Sequence, residues 1–306
     1  MENQDLISSI GNIAQERLAR RKFLSQAGML GLGAAAATIT LGGSKAAFAD
    51  DTDSAAETAQ ETAQSKDTVA EIFTAALIAE DLATTFYYNG LVGAVIQDPN
   101  LAGPGGSATH VSSSGNVGNV DYIRAALTQE IHHAQLFRSL LGMTHASQDP
   151  VQTFYFPART FDNLANFTGI LDALENAFIG AYLCAIQEFA AKSANLKGGD
   201  GAWLQPGDSK YSPEQLDYFA KVSASIMGIE AEHRVLGRVI SNSNPANNLN
   251  YEGVDGLNAV YNGSKSAVAA LTPFLKSSTG PGFSFATAIA KQSTVSLPVA
   301  GSYPTM

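Results

Sequence analysis

The pattern E-x-x-H-x-x-L-x-R occurs twice in this chain, a hundred positions apart. Its copies run from Glu130 through His133 to Arg138 and from Glu230 through His233 to Arg238. On a helix, residues three apart share a face, so each copy sets a carboxylate beside an imidazole. Such a pair chelates a transition metal. Two pairs are useful together only if the fold brings their helices face to face. Each motif helix is preceded by a helical stretch with one Glu set among apolar residues, Glu80 and Glu175. The arrangement predicts an all-α fold, a four-helix bundle with a dinuclear site inside it.

The chain reads as two duplicated helical hairpins. Glu80 is followed seven positions later by Tyr87, and Glu175 seven later by Tyr182. A residue seven along returns to nearly the same helical face, so each Tyr lies on the stripe of its Glu. Offsets of 95 residues (80 to 175) and 100 residues (130 to 230) relate the halves, which implies a pseudo-twofold axis. Other candidates fall off these stripes. Glu71 and Glu188 lie on other faces of the Glu helices, and His132 and Glu232 sit two residues from a motif Glu. His110, in a Gly/Ser loop, and His145, just past a helix end, read as solvated residues.

Local signals set the helix limits. Thr68 to Glu71 is a capping box, and the apolar positions around Glu80 recur at helical spacing to Leu91. Asp98 to Asn119 is a long Gly/Ser/Asn/Pro connection. A second helix is expected over about 120–141, with Gly142 just past its end. A third is expected over roughly 161–193, with an interruption near Thr168-Gly169. Ser212-Pro213-Glu214-Gln215 opens a fourth, which runs to about Ser241. One more helical segment, about 263–276, is expected in a tail that packs across the bundle.

A carboxylate on a bundle's inner face costs several kcal/mol unless it is paired or coordinated. Glu80, Glu130, Glu175 and Glu230 with His133 and His233 are therefore the candidate metal ligands. Two divalent ions would balance the four carboxylates. Oxygen and imidazole donors without thiolate suit iron or manganese, and zinc is chemically compatible. Tyr87 and Tyr182 read either as core residues or as hydrogen-bond donors to the ligands. Arg138 and Arg238 are repeated too, and either anchor acids such as Asp81 or Asp172 or form ordinary surface ion pairs.

These residues carry a family resemblance. Glu, E-x-x-H, Glu, E-x-x-H on successive helices resembles the ferritin-like superfamily. The wording A-E-D-L-A-x-x-F-Y at Glu80, L-E-x-A-F-x-x-A-Y at Glu175 and G-I-E-A-E-H at Glu230 is similar to the desiccation-related ferritin-like branch. The likeness covers about residues 68–241. It implies a ferritin-like four-helix bundle with long loops and a C-terminal extension. It also implies that Glu80 and His133 are terminal ligands of one metal, Glu175 and His233 of the other, and that Glu130 and Glu230 bridge them. Superfamily members activate oxygen or peroxide, dismutate peroxide or oxidise ferrous iron, so a small oxidant is the expected partner. The desiccation-related branch has no firmly assigned reaction.

Residues 1–49 read as a twin-arginine signal peptide: Arg20-Arg21-Lys22-Phe23-Leu24, a Gly/Ala/Leu run to Gly43, then Ala47-Phe48-Ala49. The apolar run is too short and glycine-rich for a stable membrane span. Residues 50–66 read as a disordered acidic linker, 67–241 as the bundle and 242–306 as the extension. Export to the periplasm or exterior follows as the expectation. The leader carries five of the 18 basic residues and three of the 28 acidic ones, which leaves 13 against 25 in the mature part. That balance, with no basic patch, argues against a nucleic-acid partner. Cys184 is the only cysteine, so no internal disulfide and no C-x-x-C electron-transfer module exists. Cys184 reads as a buried structural thiol. A homo-oligomer is compatible with the sequence, while the long loops make a ferritin-type cage awkward.

The expected function is therefore redox chemistry on peroxide or oxygen, catalase-like or oxidase-like. The alternatives are a non-enzymatic desiccation-associated protein whose metals staple the bundle, and iron oxidation and storage.

Overall fold

The computed structural model describes residues 67–199, 201, 203–243, 246 and 270–298. Leader and linker (1–66) and the first half of the expected tail helix, 263–269 of 263–276, lie outside the described residues, and the second half ends in a 3-10 turn, Thr272–Leu275. Among the described residues, four long helices form the body: α1 (Val69–Val92), α2 (Val117–Leu140), α3 (Leu164–Leu196) and α4 (Pro213–Ile240).

Each helix begins where the chain supplies a cap. The side chain of Thr68 accepts from the Glu71 backbone while Glu71 reaches back, and Ser212 and Gln215 do the same for α4 ahead of Pro213. Asn116 and Asn163 cap α2 and α3. After α2, Gly142 takes φ 72°, the left-handed conformation that stops a helix cleanly. The expected break near Thr168-Gly169 does not occur, and α3 is one continuous helix. Thr168 folds its hydroxyl back onto the Leu164 carbonyl, which keeps the hydroxyl satisfied without opening the turn. Helix α3 is long and apolar enough to cross a bilayer, but it is a core helix whose apolar residues are packed against the other helices.

Helix α1 packs on α2 and α3 on α4, and the two hairpins meet through α1 with α3 and α2 with α4. Buried apolar side chains fall into two clusters. One holds Phe73, Leu77, Phe137, Tyr182, Phe189 and Phe219, and the other holds Leu82, Phe86, Leu127, Phe167 and Leu174. On α2 the first cluster resumes at Ala134 and the second ends at Ile131, so Glu130 and His133 fall where the two meet. On α4 the clusters stop at Ile226 and resume at Ile240, on either side of Glu230 and His233. A polar layer thus lies between two apolar clusters.

The tail adds elements the sequence pattern does not announce. Strand β1 (Thr153–Tyr155) pairs antiparallel with β2 (Gly282–Ser284), setting Phe154 opposite Phe283. Ser284 then caps a short helix, α5 (Phe285–Lys291), which packs on α1. The last described residues cross α2. Arg124 donates to the carbonyls of Val295 and Ser296, and Thr128 bonds both ways with the Leu297 backbone. Cys184 is buried on α3.

Candidate metal centre

The helix registers bring all six candidate residues into one layer. Glu80 comes from α1, Glu130 and His133 from α2, Glu175 from α3, and Glu230 and His233 from α4. Glu130, Glu175 and Glu230 are 0 % exposed, Glu80 and His233 2 %, and His133 9 %. None of the other acids and histidines set aside above joins the group. Glu71 caps α1, Glu188 accepts from the Asp67 backbone, His132 is half-buried, and Glu232, His110 and His145 are exposed.

The six residues form two overlapping groups. Glu80, Glu130, His133 and Glu230 offer donor atoms within 4.8 Å of one another, as do Glu130, Glu175, Glu230 and His233. His133 Nδ1 lies 3.2 Å from Glu80 Oε2, 3.4 Å from Glu230 Oε1 and 3.5 Å from Glu130 Oε2. His233 Nδ1 lies 3.0 Å from Glu130 Oε1, 3.5 Å from Glu230 Oε2 and 3.8 Å from Glu175 Oε1. Glu130 and Glu230 therefore each turn one oxygen toward each imidazole. Glu80 and Glu175 each serve one side.

The donor chemistry fits a pair of cations. Both oxygens of Glu130 and of Glu230, Glu175 Oε2 and His233 Nδ1 are buried, and none has a hydrogen bond of proper geometry. Buried polar atoms in native proteins are nearly always satisfied, so a cluster of orphans facing one point marks a place built for something else. The acidities of these groups follow from the same crowding. Burial drives the carboxyls of Glu80 and Glu175 well above the usual range, and neighbouring carboxylates add to it. Burial also pushes Glu130 up, but the imidazoles of His233 and His133 outweigh it and hold that carboxyl well below its ordinary value. Both histidines are raised: burial disfavours the imidazolium, yet Glu80 around His133 and Glu130 around His233 overcome it.

The tyrosines cross between the halves. Tyr87 of α1 donates to Glu175 of α3 at 2.5 Å, and Tyr182 of α3 donates to Glu80 of α1. Burial, reinforced by the partner Glu, raises both phenols and keeps them neutral donors. Of the two readings open for these residues, the hydrogen-bonding one holds geometrically, and both are also core residues.

The repeated arginines anchor acids beside the site. Arg138 donates to Asp81 at 2.7 Å and to Asp149 at 2.7 and 2.9 Å, and Arg238 to Asp172 at 2.8 Å. Asp81 follows Glu80 directly, so its ion pair braces α1 against α2 at the level of the cluster. In the other half Asn176 follows Glu175 and accepts from Arg234 at 2.7 Å. Asp149, Asn176 with Arg234, and Gln129 all escape the sequence pattern. Asp149 lies in a loop, and Gln129 reaches His233 from another helix, 2.8 Å from its Nε2. The offset of 95 residues pairs Asn176 with Asp81, the one signal that could have marked it.

A family model described as a ferritin-like domain matches residues 68–197, the stretch that contains α1, α2 and α3. Glu80, Glu130, His133 and Glu175 lie within that match, while Glu230 and His233 are supplied by α4 beyond it. No curated protein and no solved structure matches the chain. The protein is thus an all-α ferritin-like bundle with a buried Glu/His cluster at its centre that is compatible with a di-metal site.

Proposed function

We propose that this protein is an exported di-metal carboxylate protein that holds iron or manganese and acts on peroxide or oxygen. The observation that carries the reading is the division of Glu130 and Glu230 between the two imidazoles, with their oxygens otherwise unsatisfied. Glu80 and His133 would complete one metal position, and Glu175 and His233 the other. Bound iron or manganese supplies electron exchange with the oxidant.

The chain's own residues do the rest. The apolar clusters on either side exclude bulk water. Tyr87 and Tyr182 hold a proton on each phenol oxygen and orient Glu175 and Glu80. The Arg138–Asp81 and Arg234–Asn176 contacts fix the helix positions next to those ligands. With no second cysteine to build an electron-transfer module, a self-contained reaction fits best: two peroxides give two waters and one dioxygen, with no outside reductant. Export rests on the arginine pair and the small-residue cleavage pattern of the leader, and stress association on the desiccation-related wording near Glu80, Glu175 and Glu230.

A second reading, in which the metals only staple the bundle, is favoured by the closure of the site, since three of its carboxylates are 0 % exposed. One experiment separates the two. The protein is purified from its native compartment, its metals are counted, and oxygen evolution from hydrogen peroxide is followed. Rapid evolution supports the catalytic reading. Two bound metals inert toward both peroxide and oxygen point to the staple, and hundreds of irons per assembly point to storage. The paired substitution Glu130→Ala with Glu230→Ala abolishes metal binding, and retention of two metals per chain would refute the ligand set.

A further inference from the structure

We propose that the two metal positions are unequal and that Gln129 makes them so, as a positioning residue for His233; the inference rests on the di-metal reading above. A neutral imidazole ligates through the nitrogen without the proton, and the hydrogen bond made by the other nitrogen decides which one that is. With Gln129 Oε1 2.8 Å from Nε2, that nitrogen donates, and the lone pair is left on Nδ1, which faces Glu130, Glu230 and Glu175. Gln129 thereby fixes the ring's orientation before a metal arrives, and the proton displaced when one binds is the one on Nδ1.

The repeat withholds this from the other half. The residue one before the motif Glu is Gln129 in the first copy and Ile229 in the second, and Ile229 carries no acceptor. Solvent exposure differs in the same sense. The His133 side chain is 11 % exposed and that of His233 1 %. One position is enclosed and its imidazole is fixed. The other, at Glu80 and His133, lies at the edge of the cluster and is the one through which metal exchanges and small ligands enter. Gln129 is itself only half-buried, so replacing it leaves the apolar packing in place.

The test is a cobalt(II) titration of the chelator-stripped full chain, competed against a chromophoric chelator, with the melting temperature of each stripped variant as a folding control. Wild type is expected to load in two steps separated by at least about tenfold in affinity. Gln129→Leu weakens the tighter step by about 10–100-fold and leaves the weaker one in place. Gln129→Glu, which restores an acceptor, keeps the tight step, and Ile229→Gln strengthens the weak one. Two indistinguishable steps in wild type, or a Gln129→Leu titration that overlays wild type, overturn the inference while leaving the metal centre intact. Absence of cobalt binding in wild type overturns the metal reading and this inference with it.

Discussion

Replacing Arg138 by Met tests how the bundle braces its centre. The guanidinium donates to Asp81 and Asp149, and the side chains of Arg138 and Asp81 are 7 % and 0 % exposed. Met retains most of the aliphatic stem, so the change removes charge rather than volume. Breaking a buried pair and leaving its acid uncompensated typically costs 3–5 kcal/mol. In a domain of this size, each kcal/mol moves the midpoint by about 2–4 °C, so a fall of roughly 6–20 °C is expected. Arg238→Met is the internal control. Its partner Asp172 is 21 % exposed, and water can take over part of the solvation, so a loss of about 1–2 kcal/mol is expected.

Acidity gives the comparison a second axis. Burial and Asp149 already hold the Asp81 carboxyl above its ordinary value against the pull of Arg138, and removing the guanidinium raises it further. A group raised in the folded state stabilises below its unfolded pKa, and that contribution is lost as pH rises through the folded value. The deficit of Arg138→Met relative to wild type therefore shrinks as pH falls. The assay is thermal and urea unfolding of metal-stripped wild type and both variants across acidic to neutral pH. Equal losses for the two arginines, or a deficit that grows toward acid, would show that burial of the ion pair does not set its contribution.

Other perturbations follow the same logic. Tyr87→Phe and Tyr182→Phe each remove one hydrogen bond to a carboxylate of the cluster and should each cost about 1.5–3 kcal/mol by chemical denaturation; losses below about 0.5 kcal/mol would show that these phenols are packing residues only. Metal loading should release protons, because Glu80, Glu175, His133 and His233 all hold theirs more tightly than usual in the metal-free protein. Titration calorimetry in buffers of different ionisation enthalpy reads that release, and a buffer-independent heat would contradict it. Lys192→Met should cost about 3–5 kcal/mol, since Lys192 is 0 % exposed and its 2.7 Å bond to Asp208 ties α3 to the loop before α4. An unfolding midpoint within 2 °C of wild type would count against that role.

Much of the bundle was legible in the chain because helices are local objects. Caps at Thr68 and Ser212, Gly142 past α2 and the seven-residue step from each lone Glu to its Tyr are settled by near neighbours in sequence, and the structure places them accordingly. Among the described residues the signal at Thr168-Gly169 failed, because a weak helix former inside a long apolar helix is overruled by the packing on both sides of it. The strand pair and α5 were not legible. A three-residue strand acquires its partner only when the tail returns to it, and Phe154 opposite Phe283 is a contact across more than a hundred residues.

The centre divides along the same line. Periodicity alone put Glu80, Glu130, His133, Glu175, Glu230 and His233 on inward faces, because burying carboxylates among apolar neighbours is too costly to occur without purpose. How the oxygens of Glu130 and Glu230 divide between two imidazoles depends on the relative rise of four helices. So do the crossed bonds of Tyr87 and Tyr182, the ion pair of Arg138 with Asp149, and the placement of Gln129 against His233. Side-chain chemistry and spacing were enough to say which residues belong together. Only packing between distant helices, where a shift of one turn moves a side chain by about 5.4 Å, decided which atom faces which.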